Sequence, residues 1–454
     1  MPERARVSLG TMIAPIDRRV PARLALTAVC LGFLMITLDA TIVNLALPAI
    51  GAEFAEPSTA ALQWVVDSYT VALAAFLLTW GAAGDRWGAR RVFEAGTAVF
   101  VLTSLACAVA GSLTWLVAAR AVQGLGAAAL LPSSLALIVH RFPDAGDRAR
   151  ALGVWGGMSG AGLAAGPVLG GLAVGLADWR LVFAVNVPVG LVTLVLTRRC
   201  VAETTPHART RLDVAGQVLG TAALACVVAG LIEAGHAGWT DPAAPGLLGA
   251  GVAAGLAFAL AERTVPAPVL PLGVLKVRDF AVATVIGGLF NFCLYGTLFC
   301  LALFLQRVWR LDALTAGLLL VPLTLVVGVN AFISGRLTHR FGARGPIVAG
   351  GLLALPGAAG LALLPSGPSP VPLIACSAVF GCCSLAMPAM TSVAMTALPG
   401  RAGLAAGVLN ASRQTGGAVG VALVGGLLPG TAMGVVAGGC AAMVLLTGVL
   451  RRPR

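Results

Sequence analysis

Fourteen apolar runs divide the chain, each about long enough to cross a bilayer as a helix, which takes roughly 20 residues. They lie near 24–48, 62–83, 93–111, 114–139, 150–176, 180–197, 213–235, 245–262, 280–305, 314–335, 346–364, 371–396, 403–427 and 430–450. Barrel strands would alternate polar and apolar residues, and these runs do not. The expected class is an all-α polytopic membrane protein. Only 11% of the 454 residues are charged, against about a quarter in soluble proteins. A water-soluble enzyme, a disordered chain and a coiled coil are therefore excluded. Most of the 58 glycines fall inside the runs, where small residues let helices approach closely. The first run is too long for a signal-peptide core and lacks a small-residue cleavage site before Asp39, so it is expected as an uncleaved helix. The ten cysteines form no paired spacing; Cys107, Cys226, Cys293, Cys300 and Cys440 sit within runs as small core residues. Neither a disulfide framework nor a metal site is expected.

The net charge of +12 comes from 29 arginines and Lys276. Its distribution points to membrane topology rather than nucleic acid. With the N-terminus in the cytoplasm and spans alternating, 25 of the 30 basic residues fall on the cytoplasmic side. Arg180, Arg307 and Arg310 fall outside, and Arg120 and Arg413 lie within spans. Fourteen spans with both termini cytoplasmic satisfy this bias; an odd number would break it halfway.

The chain also repeats itself. Arg86-Trp87-Gly88-Ala89-Arg90 recurs as Arg340-Phe341-Gly342-Ala343-Arg344, 254 residues later. The same offset superposes Gly153-Val154 on Gly407-Val408, Gly162 on Gly416, Gly166 on Gly420 and Gly171 on Gly425. Spans 1–6 therefore repeat as 9–14, with spans 7 and 8 inserted between. The expected units are an N-terminal tail (1–23), a six-helix half (24–197), a linker carrying the two inserted helices (198–279), a second six-helix half (280–450) and a C-terminal tail (451–454). Two parallel six-helix halves are a transporter architecture, with the substrate near the midplane between them.

Several segments carry a family resemblance. They are Leu38-Asp39-Ala40-Thr41-Ile42-Val43-Asn44 running to Pro48, Gly81 through Gly84-Asp85-Arg86-Trp87-Gly88-Ala89-Arg90-Arg91, and Arg120 through Gln123-Gly124 to Gly126. Gly162 through Gly166-Pro167 to Gly170-Gly171, Trp179-Arg180 with Asn186-Val187-Pro188, and Asn410 through Arg413-Gln414 to Gly416-Gly417 complete the set. Together they resemble the major facilitator superfamily, specifically its fourteen-helix drug:proton antiporter branch. The stretch Leu231-Ile232-Glu233 through Gly238-Trp239-Thr240 further resembles the methylenomycin A resistance type within that branch. The resemblance implies two six-helix halves plus two inserted helices, alternating access and proton-coupled drug export.

Within that frame, Asp39 and Arg120 are the candidates for proton coupling. A carboxylate at the bilayer centre costs about 2.5–3.5 kcal/mol on insertion scales, and burial favours its neutral form. An Arg120–Asp39 pair would set when the proton leaves, whereas an Arg120 bound only to backbone carbonyls would merely pin its helix. Asn44, Asp67, Tyr69, Gln123, Asn291 and Arg413 are the candidate substrate-cavity residues. Arg413 either faces that cavity or lies near the cytoplasmic end of its helix. Gly81, Gly84, Asp85, Arg86, Gly88 and Arg90 are expected to form a conformational latch. In it Asp85 accepts from a helix N-terminus or pairs with arginine. Gly162, Gly166, Pro167 and Gly170 line one face of a kinked helix. That face either seals the path between the halves or provides ordinary small-residue packing.

The expected function is secondary export of a hydrophobic small molecule, an antibiotic or drug, in exchange for protons. A proton-coupled importer or metabolite exporter of the same fold is the alternative. The expected partners are a small-molecule substrate, protons and the lipid of a bacterial plasma membrane, with no nucleic acid, no cofactor beyond the proton gradient and a monomeric state. No HExxH, GxSxG or clustered His/Asp set supports an enzyme, and no GxxxxGK[ST] loop supports an ATP-driven pump.

Overall fold

The computed structural model describes residues 22–55, 58–205, 213–266, 268–399 and 401–450, and among these no strand occurs. The tail residues 1–21 and 451–454, and the basic pair Arg209 and Arg211, lie outside the described residues. The first half comprises α1 (Ala22–Glu53), α2 (Thr59–Trp87), α3 (Ala89–Ala108), α4 (Leu113–Arg141), α5 (Ala145–Leu176) and α6 (Leu181–Cys200). Next come α7 (Val214–His236) and α8 (Ala243–Ala261). The second half comprises α9 (Arg278–Val308), α10 (Ala313–Phe341), α11 (Arg344–Ala362), α12 (Pro370–Ala397), α13 (Ala402–Gly425) and α14 (Pro429–Thr447). Thirteen of them are long and apolar enough to cross a membrane by length and composition. The fourteenth, α13, is 24 residues long and carries Asn410, Arg413 and Gln414 near its centre.

Local chemistry sets the helix starts. Ser58, Ser112, Asp144, Asp213 and Asp312 each turn a side-chain oxygen onto an N–H of the first turn of α2, α4, α5, α7 and α10. That satisfies a donor that has no partner within the helix. Pro167 sits inside α5 without ending it.

The 254-residue repeat is visible in the packing. Gly162, Gly166 and Gly170 of α5 press against Leu34, Thr37, Thr41 and Ile42 of α1, leaving no room for a Cβ. Their counterparts Gly416 and Gly420 of α13 press in the same way on the Gly288 and Phe292 carbonyls of α9. One step further along, Gly171 meets Ala313 and Leu314 of α10, while Gly425 meets Gln63 of α2. Each fifth helix thus packs on the first helix of its own half and then crosses to the second helix of the other. The inserted α7 leans on α2 and on α13, spanning the seam between the halves, and α8 packs on α7.

Of the two readings of this face, Gly162, Gly166 and Gly170 follow the second: they hold α5 to α1 within one half, as small-residue stripes do. Pro167 follows the first: along α5, contact with the other half is made by the Pro167 carbonyl against Gly317, by Gly160 with Gly328, and by Gly171.

Candidate functional site

Asp39 and Arg120 meet in the first half. Asp39 lies on α1 and Arg120 on α4, 0% and 1% exposed, with Arg120 NH1 donating to Asp39 Oδ2 at 2.5 Å. Arg120 also donates through Nε to the Val65 carbonyl of α2 (3.0 Å) and through NH1 to Gln123 Oε1 (2.8 Å). Arg120 is therefore not bound to backbone carbonyls alone: it pairs with the carboxylate and also holds a carbonyl of α2. The second carboxylate oxygen, Asp39 Oδ1, accepts from Asn186 Nδ2 at 3.0 Å and from Gln123 Nε2 at 3.2 Å. Those two amides also donate to Ser104 Oγ of α3, at 3.0 and 3.1 Å. Ser104 in turn donates to the Phe183 carbonyl at 3.1 Å. The guanidinium lies over the Tyr69 ring, 4.2 Å from its centroid. The first half thus closes around one ion pair whose hydrogen-bonding positions are filled by named donors, as a buried pair requires.

Beside this cluster lies a cavity between the halves. Arg120, Tyr69, Thr37 and Phe33 line it from the first half. Asn291, Tyr295, Asn410, Arg413 and Gln414 line it from the second. Arg120 therefore separates Asp39 from the cavity. Arg413 faces this space, which settles the open question of its position. Its Nε donates to Asn291 Oδ1 at 3.4 Å and its NH1 to Asn410 Oδ1 at 3.2 Å, and its guanidinium sits 5.9 Å from the Phe290 ring centroid.

Tyr69, Asn291 and Arg413 thus stand at the cavity; three other expected residues do not. Gln123 shares the face of α4 that carries Arg120, three residues away, and so belongs to the Asp39 cluster. The Asn44 amide turns back on its own helix toward the Ala40 carbonyl (3.5 Å). Asp67 is fully buried on the stripe of α2 that includes Gln63, Trp64 and Val71. That stripe meets α7 and α13, and neither carboxyl oxygen of Asp67 has a hydrogen-bond partner. Ser104 and Asn186 of the ion-pair cluster, and Tyr295, Asn410 and Gln414 of the cavity, were not singled out from the sequence. Asn186, Asn410 and Gln414 did lie in motif segments.

The halves are tied together at the ends of α1, α5, α9 and α13 that lie away from the termini. Gln63 Nε2 donates to the Val421 and Ala422 carbonyls, both at 2.8 Å. Gln306 Nε2 donates to the Leu45 carbonyl at 3.3 Å, and Arg307 NH1 to Thr59 Oγ1 at 3.0 Å. Toward the other face, a Cβ on Gly157 would meet the Phe332 ring at 3.3 Å, whereas one on Gly153, Gly156 or Gly335 would meet nothing within 4 Å.

The segment of the expected latch joins α2 to α3. Gly88 adopts a positive φ of 99°, which lets α2 turn directly into α3, and its N–H donates to the Gly84 carbonyl. Gly81 and Gly84 lie against Pro132 and Ser133 of α4. The donors of the first turn of α3 go to residues after α6. Arg90 N and Arg91 N donate to Glu203 at 2.9 and 3.1 Å, and Ala89 N donates to Thr204 Oγ1 at 2.8 Å. Glu203 is thus a carboxylate on that helix N-terminus. Asp85 and Arg86 are exposed at the end of α2, and the Arg90 Nε donates to Glu94 at 2.8 Å.

Among the described residues no cluster of His, Cys, Asp and Glu could hold a metal ion. Residues 29–421 match the model of the Major Facilitator Superfamily. The chain is 38% identical over 418 residues to the methylenomycin A resistance protein of Streptomyces coelicolor, covering 91% of this chain and 87% of that one. It is 36% identical over 406 residues to the multidrug resistance protein Stp of Mycobacterium tuberculosis, covering 89% and 75%. The crystal structure of the human organic anion transporter MFSD10 superposes with a TM-score of 0.67 at 16% identity, covering 95% of this chain and all of the other, which concerns the fold alone.

Proposed function

The chain belongs to the major facilitator superfamily, and from that membership we propose that it exports a hydrophobic small molecule, an antibiotic or drug, in exchange for protons. It is a multi-pass membrane transporter, not an enzyme. Its relatives carry the names of antibiotic and multidrug resistance proteins, so the import alternative is not favoured.

One observation carries the coupling: the Asp39–Arg120 pair stands directly against the cavity, with Arg120 contributing to its wall. A proton arriving at Asp39 neutralises the carboxylate and frees Arg120 from its counter-ion. The pair then loosens, and with it the hold of Arg120 on Val65 of α2. Occupancy of the cavity and protonation of Asp39 would thereby act on the same guanidinium. The excess of positive residues in the loops on the terminal side supports an orientation with both termini in the cytoplasm. On that orientation the packed ends of α1, α5, α9 and α13 face outward. The working unit is a monomer of the bacterial plasma membrane, and the proton gradient replaces any cofactor.

The test is expression in an efflux-deficient host, with a panel of antibiotics applied with and without a protonophore. Resistance to some compounds that disappears with the gradient is the expected result. Raised accumulation of a compound, or resistance indifferent to the protonophore, would overturn the reading.

A further inference from the structure

We propose that the exported molecule is an amphiphilic anion, whose carboxylate or equivalent acidic group is taken by Arg413. This rests on the export reading and adds the charge of the substrate to it.

Two charged side chains line the cavity, Arg120 and Arg413, and no aspartate or glutamate does. The two arginines are not equivalent. Arg120 has its counter-ion in Asp39 at 2.5 Å. Arg413 has no carboxylate within 4.0 Å among the described residues. Its partners are two neutral amide oxygens and one aromatic face. An unmatched guanidinium in the middle of a membrane protein is costly and marks a binding role by default. A planar fork of N–H donors suits a carboxylate above other partners.

A neutral group beside it also lacks an acceptor. Asn291 is 1% exposed, and while its Oδ1 accepts from Arg413, its Nδ2 has no partner among the described residues. Buried donors without acceptors are uncommon, and this one lies beside an unmatched cation. The two amide oxygens that Arg413 reaches carry no charge, and an anionic group supplies the counter-charge they do not. A cationic drug would add a like charge beside Arg413 with no acid to offset it. The rest of the lining, including Phe33, Ile36, Leu131, Leu163 and Met387, is apolar and takes the body of the molecule.

One energetic consequence separates this from export of a cation. Moving an anion out and a proton in both carry positive charge inward. A one-for-one exchange therefore transfers two charges per cycle and is accelerated by an inside-negative potential. A one-for-one exchange with a monovalent cation transfers none.

The test uses the full chain, purified, with a naphthalene series matched in size: 1-naphthylacetic acid, its primary amide, 1-naphthylmethylamine, and longer homologues of each. Equilibrium binding is measured for the wild type, Arg413→Gln and Arg413→Lys. Acids are expected to bind at least about tenfold tighter than their amides, the scale of hydrogen bonds to a charged group. In Arg413→Gln that preference disappears while amide binding persists, which also reports that the variant is folded; Arg413→Lys keeps part of it. Tighter binding of amines or amides, no binding of any acid, or an acid preference that survives in Arg413→Gln would each overturn the proposal. Proteoliposomes separate the two readings. Gradient-driven movement of amines but not acids would leave proton-coupled export standing and remove the anion. Movement of none of the series in response to an imposed proton gradient would remove both.

Discussion

Arg120 joins Asp39 across 81 residues of sequence and, through the same side chain, holds the Val65 carbonyl of α2. One guanidinium therefore ties together α1, α2 and α4. Any event that discharges Asp39 reaches α2, and α2 is the helix of the first half on which both α7 and α13 rest. Chemistry at one carboxylate is thus connected by direct contacts to the seam between the halves.

Removing one partner of this pair should be worse for the fold than removing both. Breaking a buried ion pair typically costs about 3–5 kcal/mol, because the survivor is left uncompensated, whereas replacing both charges is often near neutral. Asp39→Asn and Arg120→Gln should each lower the melting temperature in detergent, and the double variant should recover much of that loss. All three should lose protonophore-sensitive export. If Asp39→Asn alone exports with its gradient dependence intact, Asp39 is not the coupling group.

Seam glycines and stripe glycines should fail in different ways. Gly317 faces the Pro167 carbonyl across the halves, whereas Gly166 faces Thr41 within one half. Overpacking costs about 1–3 kcal/mol. At the seam this shifts the conformational equilibrium, by roughly 5- to 150-fold, away from the state described here. Gly317→Val should increase labelling of single cysteines on the outer side of the cavity with little change in melting temperature. Gly166→Val should lower the melting temperature without that labelling. The same outcome for both positions would contradict the distinction.

The repeat was legible in the sequence because helix packing needs small residues at fixed intervals, and a gap-free offset preserves them. Gly162 and Gly416, or Gly171 and Gly425, occupy corresponding places for that reason. The apolar runs gave the spans because a helix needs about 20 residues to cross a bilayer. What could not be read was which face of a span meets which neighbour. Asp67 and Tyr69 are two residues apart on α2, yet Tyr69 lines the cavity and Asp67 is sealed away from it, a difference of helix rotation alone. From the sequence, Gln123 is expected to line the cavity. The partners that draw it toward Asp39, Ser104 and the carboxylate itself, come from α3 and α1, and no spacing announces them. Glu203 was missed for the same reason: nothing in sequence connects it to a helix beginning more than a hundred residues earlier.

Glu203 should behave as a cap supplied by the chain after α6. Loss of a capping side chain usually costs about 0.5–2 kcal/mol, and two N–H groups lose their acceptor here. Glu203→Ala should reduce thermal stability by that order, and Glu203→Gln by less. Asp85→Asn leaves both of those Glu203 bonds in place and should cost less than Glu203→Ala. A larger stability loss in Asp85→Asn than in Glu203→Ala would return the capping role to the end of α2.

A last prediction concerns pH and the foot of the inserted helices. Glu262 follows α8, and its Oε2 accepts from the Leu270 N–H at 2.9 Å. Its other oxygen and Asp213 Oδ2 both lie over Gly216 without a hydrogen-bond donor. Burial, reinforced by the neighbouring Asp213, pushes the Glu262 carboxyl above its usual value of 4.5. A raised acid is bound more firmly to its proton in the folded chain. Its contribution to stability is therefore complete below 4.5 and is lost as pH rises through the raised value. Glu262→Gln mimics the protonated form at every pH. The variant and the wild type should melt alike at acidic pH, and the variant should become progressively the more stable as pH rises past that value. A difference between them that stays constant with pH would mean that Glu262 does not change its protonation on folding.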